Sequence, residues 1–309
     1  MRIKEYKEIN ELLTNEGDAY IKRCCDEYDQ KCKIIAEKVA AHLKEHPIIL
    51  LAGPSGSGKT TTALKIEGYL DRMGLETHTV SMDNYFLSKD QVKIFDENNQ
   101  IDYESPHRID IPLLQEHMHI LAEGGTVDVP AFDFKTQQRI PGKPLTRKKG
   151  ELVLFEGIHA LNPEVTGPED ISTCIYVSVR TRIKLSNGKL VHPELIRAMR
   201  RIIRDRNFRG RKPAETLDMF NSVQRGENLY IQPYKQRAHV QIDTFHDFEP
   251  CVYKTYLDSD FEELKKSYSG YEKFEPIEWL LNEILPYDPE KMPIDSLTRE
   301  FIGGSIYDY

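Results

Sequence analysis

The eight residues Gly53-Pro54-Ser55-Gly56-Ser57-Gly58-Lys59-Thr60 constrain this chain more than any other segment. They fit the spacing G-x-x-x-x-G-K-[ST]. An apolar run before them, Ile48-Ile49-Leu50-Leu51, reads as a buried strand, and Ala63, Ile66, Leu70 and Met73 after them share one helical face. Glycines at these positions let the backbone wrap closely around an anion. The exposed N–H groups and the positive end of the following helix then attract it. The candidate phosphate-binding residues are therefore Gly53, Ser55, Gly56, Ser57, Gly58, Lys59, Thr60 and Thr61. Lys59 is placed to reach the outer phosphates of a nucleotide, and the Thr60 hydroxyl to ligate Mg²⁺.

Such a loop is shared by GTPases, motors, transporters and kinases, so other residues must decide the chemistry. No N-K-x-D sequence is present to read guanine. Thr77 to Ser81 reads as a second strand with Asp83 just beyond it, and Leu152 to Phe155 as a third with Glu156 next. In open parallel sheets, ligands bind beyond the carboxyl ends of the strands. Two acids there, beside a phosphate loop, suit phosphoryl transfer. One can accept the proton of an attacking hydroxyl, and the other can hold Mg²⁺.

Charge points to the same region. The chain has 309 residues and a formal net charge of −8, yet residues 180–212 hold twelve Lys/Arg and only two acids. Arg197, Arg201 and Arg204 fall on one helical face, with Arg209-Gly210-Arg211 where the helix should end. Guanidinium groups so arranged can stabilise a transferring phosphoryl group and close over it as a lid at about 197–213. The alternatives are a solvated basic face or an RNA-binding surface. Only Phe208 is available there for base stacking.

The rest of the chain organises around this centre. Strands alternating with helices predict a parallel α/β sheet. Residues 1–45 read as a helical segment, 46–250 as the catalytic part, and 251–309 as a helical extension. RTRIKL and KLVH around Asn187-Gly188 read as a hairpin, serving as substrate wall or as an oligomer contact between copies. The five cysteines match no zinc spacing, which predicts reduced thiols in the cytoplasm. No apolar run approaches membrane-spanning length, so no membrane association is expected.

Taken in order, GPSGSGKTTT, SMDNYF, VPAFDFKTQQR, FEGIHAL, RRIIRDRNFRGR and IQPYKQRAHVQI resemble the uridine kinase and phosphoribulokinase family over about residues 48–242. The ending MPIDSLTREFIGGSIYDY resembles a bacterial, uridine kinase-like branch. The resemblance implies a P-loop NTPase three-layer sandwich. It would have a central five-stranded parallel sheet, an arginine-bearing lid and helical extensions at both ends. It also implies ATP and Mg²⁺ as cofactors and phosphorylation of a nucleoside 5′-hydroxyl. Asp83 then matches the general base and Glu156 the magnesium-linked acid, with Thr60 and Asp83 as further metal candidates. Glu104 matches an acid that grips ribose hydroxyls, and Arg201, Arg204, Arg209 and Arg211 match the lid arginines. Tyr85, Phe132 and Phe134 are expected at the substrate, and Phe86 in the core.

The chain departs from that pattern at the base-reading positions. Phe132 stands where a tyrosine is usual, Gln137 where a histidine is, and Met219 where a glutamine is. A site that hydrogen-bonds its substrate discriminates strongly, so these changes bear on the acceptor. Besides a nucleoside kinase, two readings follow: a kinase of a sugar or other metabolite alcohol, and a nucleotide-binding regulator or RNA-associated ATPase. The net negative charge argues against a nucleic-acid partner.

Overall fold

A computed structural model describes residues 2–42, 46–97, 99–167 and 172–308. In chain order the elements are β1 (Ile3–Glu5), α1 (Tyr6–Glu16), α2 (Asp18–Ala41), β2 (Ile48–Ala52), α3 (Lys59–Arg72), β3 (Thr77–Ser81) and α4 (Ile111–Ala122). Next come β4 (Thr126–Asp133), β5 (Gln138–Thr146), β6 (Leu152–Gly157), α5 (Pro163–Thr166), β7 (Ser172–Ser178), β8 (Arg182–Lys184), β9 (Leu190–Val191) and α6 (Pro193–Arg209). The chain ends with α7 (Pro213–Asp218), α8 (Phe220–Gly226), β10 (Val240–Asp243), α9 (Glu249–Ser267), α10 (Glu275–Glu283) and α11 (Arg299–Ile302).

The central sheet has five strands in the order β10-β7-β2-β6-β3, and every pair is parallel. β2, β6 and β7 are buried along their whole length, which is why β2 and the start of β6 read as continuous apolar runs. The register sets Leu51 beside Glu156 and Glu156 beside Ser81. All carboxyl ends therefore open on one edge, with the glycine loop leaving β2 at its middle. The expected α/β sandwich is the observed fold.

Both chain ends join this core. One apolar cluster runs from Ile9 and Tyr28 in the first helices, through Ile66 and Ile175, to Phe261, Leu297 and Phe301. Asn10 bonds the Glu283 carbonyl (2.8 Å) and the Leu285 N–H (2.9 Å), tying α1 to the end of α10. The helical expectation for 1–45 holds for α1 and α2, while 43–45 lie outside the described residues. Residues 3–5 instead form a strand, parallel to β8. β8 and β9 form the expected hairpin, with Ile183 opposite Val191. The hairpin thus belongs to a three-stranded sheet with the N-terminus.

Two features add to the sequence reading. Residues 126–146 form an antiparallel ribbon, β4–β5, bulged between Val129 and Ala131. On α6, which carries the arginines expected in a lid, Ile196, Met199, Ile202 and Ile203 are fully buried. An apolar face of that size holds the helix in the core, and its first half lies against the glycine loop through Arg197 and Arg200.

Candidate active site

The phosphate loop is shaped by contacts that only glycine permits. A Cβ on Gly53 would lie 2.1 Å from the Val177 carbonyl oxygen. Gly58 has φ +81° and caps α3, and a Cβ there would lie 2.6 Å from Leu297 Cδ1. The loop is also gripped from outside. Arg197 donates to the Ser55 carbonyl (3.1 Å) and Arg200 to that of Gly56 (3.1 Å). The Thr244 hydroxyl donates to the Ser57 carbonyl (2.7 Å). With its carbonyls drawn outward, the loop is held in one conformation, and the end of α3 faces the cavity.

That cavity measures about 290 Å³ and lies at the carboxyl edge of the sheet. Ser55, Gly56, Lys59, Thr60, Asp83 and Glu156 line it. So do Phe132, Phe134, Gln137, Met219 and Glu104, together with Arg201, Arg204, Arg209 and Arg211. Gly53, Ser57, Gly58 and Thr61 belong to the loop and its helix without lining the cavity.

Burial dominates the acids. It pushes the Asp83 carboxyl above the usual range, opposed by Lys59, Arg209 and Arg204. Glu156 is pushed up to about 7 by burial, with Lys59 opposing and Asp83 adding to the rise. A half-buried Asp83 and a buried Glu156 beside a lysine and the Thr60 hydroxyl suit a divalent cation, whose charge would offset the cost of ionising both. Thr60, Asp83 and Glu156 are the residues that would hold Mg²⁺. Asp102 donates nothing to the cavity, because Arg225 and the Tyr230 hydroxyl occupy it (both 2.9 Å). Glu104 is left facing inward, its Oε2 without a partner among the described residues.

The arginines are fanned by one buried acid. Asp205, fully buried, accepts from Arg204 (2.8 Å) and lies 3.5 Å from Arg209 and 3.7 Å from Arg211. Burial opposes its charge, but Arg204, Arg209 and Arg201 outweigh it and hold the carboxyl below the usual range. Arg201 is itself buried, and desolvation with the adjacent Arg204 lowers it to about 10. Its Nε has no partner among the described residues.

Of two aromatic expectations, Tyr85 at the substrate is corrected, while Phe86 is buried in the core as expected and lines the cavity as well. Tyr85 is fully buried and bonds His117 Nδ1 (3.0 Å), away from the cavity. Phe86 lines it, edge-on to Phe132 at 5.6 Å between centroids. A 3-10 turn at Met82–Tyr85 interrupts the two-residue alternation of β3 and turns the next side chain outward. Residues that sequence reading missed include Arg108, Tyr103 and Glu300. Glu300 Oε2 accepts from the Thr61 N–H (3.2 Å) and hydroxyl (2.6 Å), so the C-terminal segment touches the start of α3.

Behind the site, burial lowers His159 to about 4. His246 is lowered to about 3 by burial, with Arg200 adding to the effect. Both are neutral when folded and take up a proton near pH 6.5 when unfolded. Their stabilising contribution is complete above pH 6.5 and is lost as pH falls towards 3 to 4. The stability of the wild type relative to His246→Gln should therefore shrink between pH 6.5 and 4. Calorimetry over that range checks it, and a difference independent of pH would count against it.

A profile of the phosphoribulokinase / uridine kinase family matches residues 48–249. A uridine kinase of Macrococcus caseolyticus is 31% identical over 197 residues, 63% of this chain and 86% of its own length. An inorganic pyrophosphatase of Arabidopsis thaliana, TTM1, is 28% identical over 228 residues, 73% of this chain but 31% of its own. The chain thus spans about a third of that plant relative. Among solved structures, a protein of Silicibacter sp. TM1040 assigned as a fructose transport system kinase superposes with TM-score 0.50 at 16% identity. That match covers 68% of this chain and 98% of the other, a likeness of fold. Among the described residues, no helix is long and apolar enough to cross a membrane.

Proposed function

Because the chain belongs to the phosphoribulokinase / uridine kinase family, we propose that it transfers the γ-phosphoryl group of ATP to a hydroxyl of a small-molecule acceptor. The observation that carries this is the meeting of Lys59, Thr60, Asp83, Glu156 and four arginines in one cavity. Asp83 takes the proton of the acceptor hydroxyl as its oxygen attacks the γ-phosphorus and the bond to the β-phosphate oxygen breaks. Lys59, Arg201, Arg204 and Arg209 stabilise the charge spread over the transferring group. Mg²⁺, when bound, neutralises phosphate charge.

For the acceptor, the uridine kinases among the relatives favour a nucleoside 5′-hydroxyl, with Glu104 accepting from sugar hydroxyls and Phe132 and Phe134 facing the base. A sugar or other alcohol is the second reading, favoured by Gln137 and Met219 in the same wall. The test is ATP consumption with Mg²⁺ against nucleosides and non-nucleoside alcohols, with the products weighed by mass spectrometry. A nucleoside gaining one phosphoryl group supports the first acceptor. Transfer only to other alcohols supports the second. ATP turnover without any phosphorylated acceptor would overturn both.

A further inference from the structure

The phosphate loop ends in the first turn of α3, where the Thr62 N–H bonds the Gly58 carbonyl (3.1 Å). The N–H groups of Lys59, Thr60 and Thr61 come before that bond, at the positive end of the helix. In a loop of this spacing such groups cradle the phosphates of a nucleotide. One of them is already held by an anion of the chain itself. Glu300 Oε2 accepts from the Thr61 N–H (3.2 Å) and from the Thr61 hydroxyl (2.6 Å). Glu300 also lines the same cavity as Lys59 and Thr60.

The segment that carries Glu300 is fixed on both sides of it. Leu297 and Phe301 are fully buried. Leu297 packs against Gly58, and the Phe301 ring centroid lies 5.1 Å from the Arg200 guanidinium. Arg299 donates to the Met292 carbonyl (2.7 Å), and Asn207 to that of Phe301 (3.2 Å). Between these anchors Glu300 is half-buried. Its carboxylate can leave Thr61 by rotating about its own side-chain bonds while the backbone stays packed. A carboxylate and a phosphate oxygen are both anionic acceptors and seek the same donors. They cannot share them, because two anions at one N–H repel each other in a site partly shielded from water.

We propose that Glu300 is an internal competitor for the nucleotide, an autoinhibitory contact in which its carboxylate takes the place of a phosphate oxygen at Thr61. This concerns the regulation of the proposed site and rests on the reading of the loop as a nucleotide site. A nucleotide fills the loop only as Glu300 leaves, so the contact raises the ATP concentration at which the site is half filled. A carboxylate that served only to cap α3 would stabilise the helix, and removing its charge would bring no gain in affinity.

The test is calorimetric binding of two probes to the full chain with Mg²⁺, a non-hydrolysable ATP analogue and inorganic tripolyphosphate. Glu300→Gln keeps the shape of the side chain and removes its charge, and Glu300→Ala removes the contact altogether. A hydrogen bond to a charged group is worth enough that both variants should bind both probes about tenfold or more tighter than the wild type. A tenfold gain means that the carboxylate holds Thr61 about nine-tenths of the time in the empty protein. Tripolyphosphate has neither base nor sugar, so a matching gain for it sets the competition at the phosphates.

Unchanged or weaker binding by the variants would overturn the proposal, and a lower unfolding temperature alongside it would identify Glu300 as a helix cap. A gain confined to one probe would overturn it as well. Product analysis with ATP separates the two claims. Tighter binding in both variants, with no alcohol phosphorylated by any of the three proteins, sinks the kinase reading and leaves the competitor standing. Phosphorylated product from the wild type, with nucleotide affinity unchanged in the variants, sinks only the role of Glu300. If neither probe binds any of the three proteins, both fall.

Discussion

Asp83→Asn is expected to lower phosphoryl transfer by about 10²–10⁴-fold, the usual contribution of a positioned general base. The amide keeps the shape of the side chain but cannot take the acceptor proton. Asp83 sits on the turn after β3, at the cavity wall with Lys59 and Glu156. Removing its charge also relieves the repulsion that raises Glu156, so nucleotide binding should stay within a few fold. Single-turnover rates and equilibrium binding of an ATP analogue, measured on the same preparation, separate the two effects. Turnover at the wild-type rate would remove Asp83 from the role of base.

Arg200→Leu should be the most damaging single change to stability. Arg200 is fully buried, meets Glu249 through both nitrogens (2.7 and 2.9 Å), and donates to the carbonyls of Gly56 and Thr244 (3.1 and 3.0 Å). The substitution strands a buried carboxylate and two carbonyls. Breaking a buried ion pair from one side costs about 3–5 kcal/mol. Denaturant unfolding would measure it, and pairing Arg200→Leu with Glu249→Leu should recover part of the loss. A loss below about 1 kcal/mol, the level of an exposed ion pair, would contradict this account.

Legibility in the sequence followed distance along the chain. The phosphate loop could be read because it is contiguous, and its strand and helix flank it directly. Asp83 and Glu156 could be read because strand ends mark the ligand-binding edge of a parallel sheet. Tyr85 was misplaced because a 3-10 turn breaks the alternation there. The β4–β5 ribbon was hidden by Pro130, Pro141 and Pro144, residues that count against a strand, and by the exposure of β5. Arg200 looked like one more basic residue in a basic helix, and its partner lies 49 residues on. Glu300 meets Thr61 across 239 residues, a pairing without any local pattern.

That last separation has a consequence for how the protein comes into being. The start of α3 emerges from the ribosome 239 residues before the segment that packs against it, a delay of about 12–50 s at ordinary rates of synthesis. Through that interval the apolar surface around Gly58 and Arg200 awaits Leu297 and Phe301. The nascent chain therefore completes its catalytic centre from the end made late, and long-range closure of this kind is slow. Premature termination before Leu297 would release chains that carry every phosphate-binding residue of the loop while lacking its support.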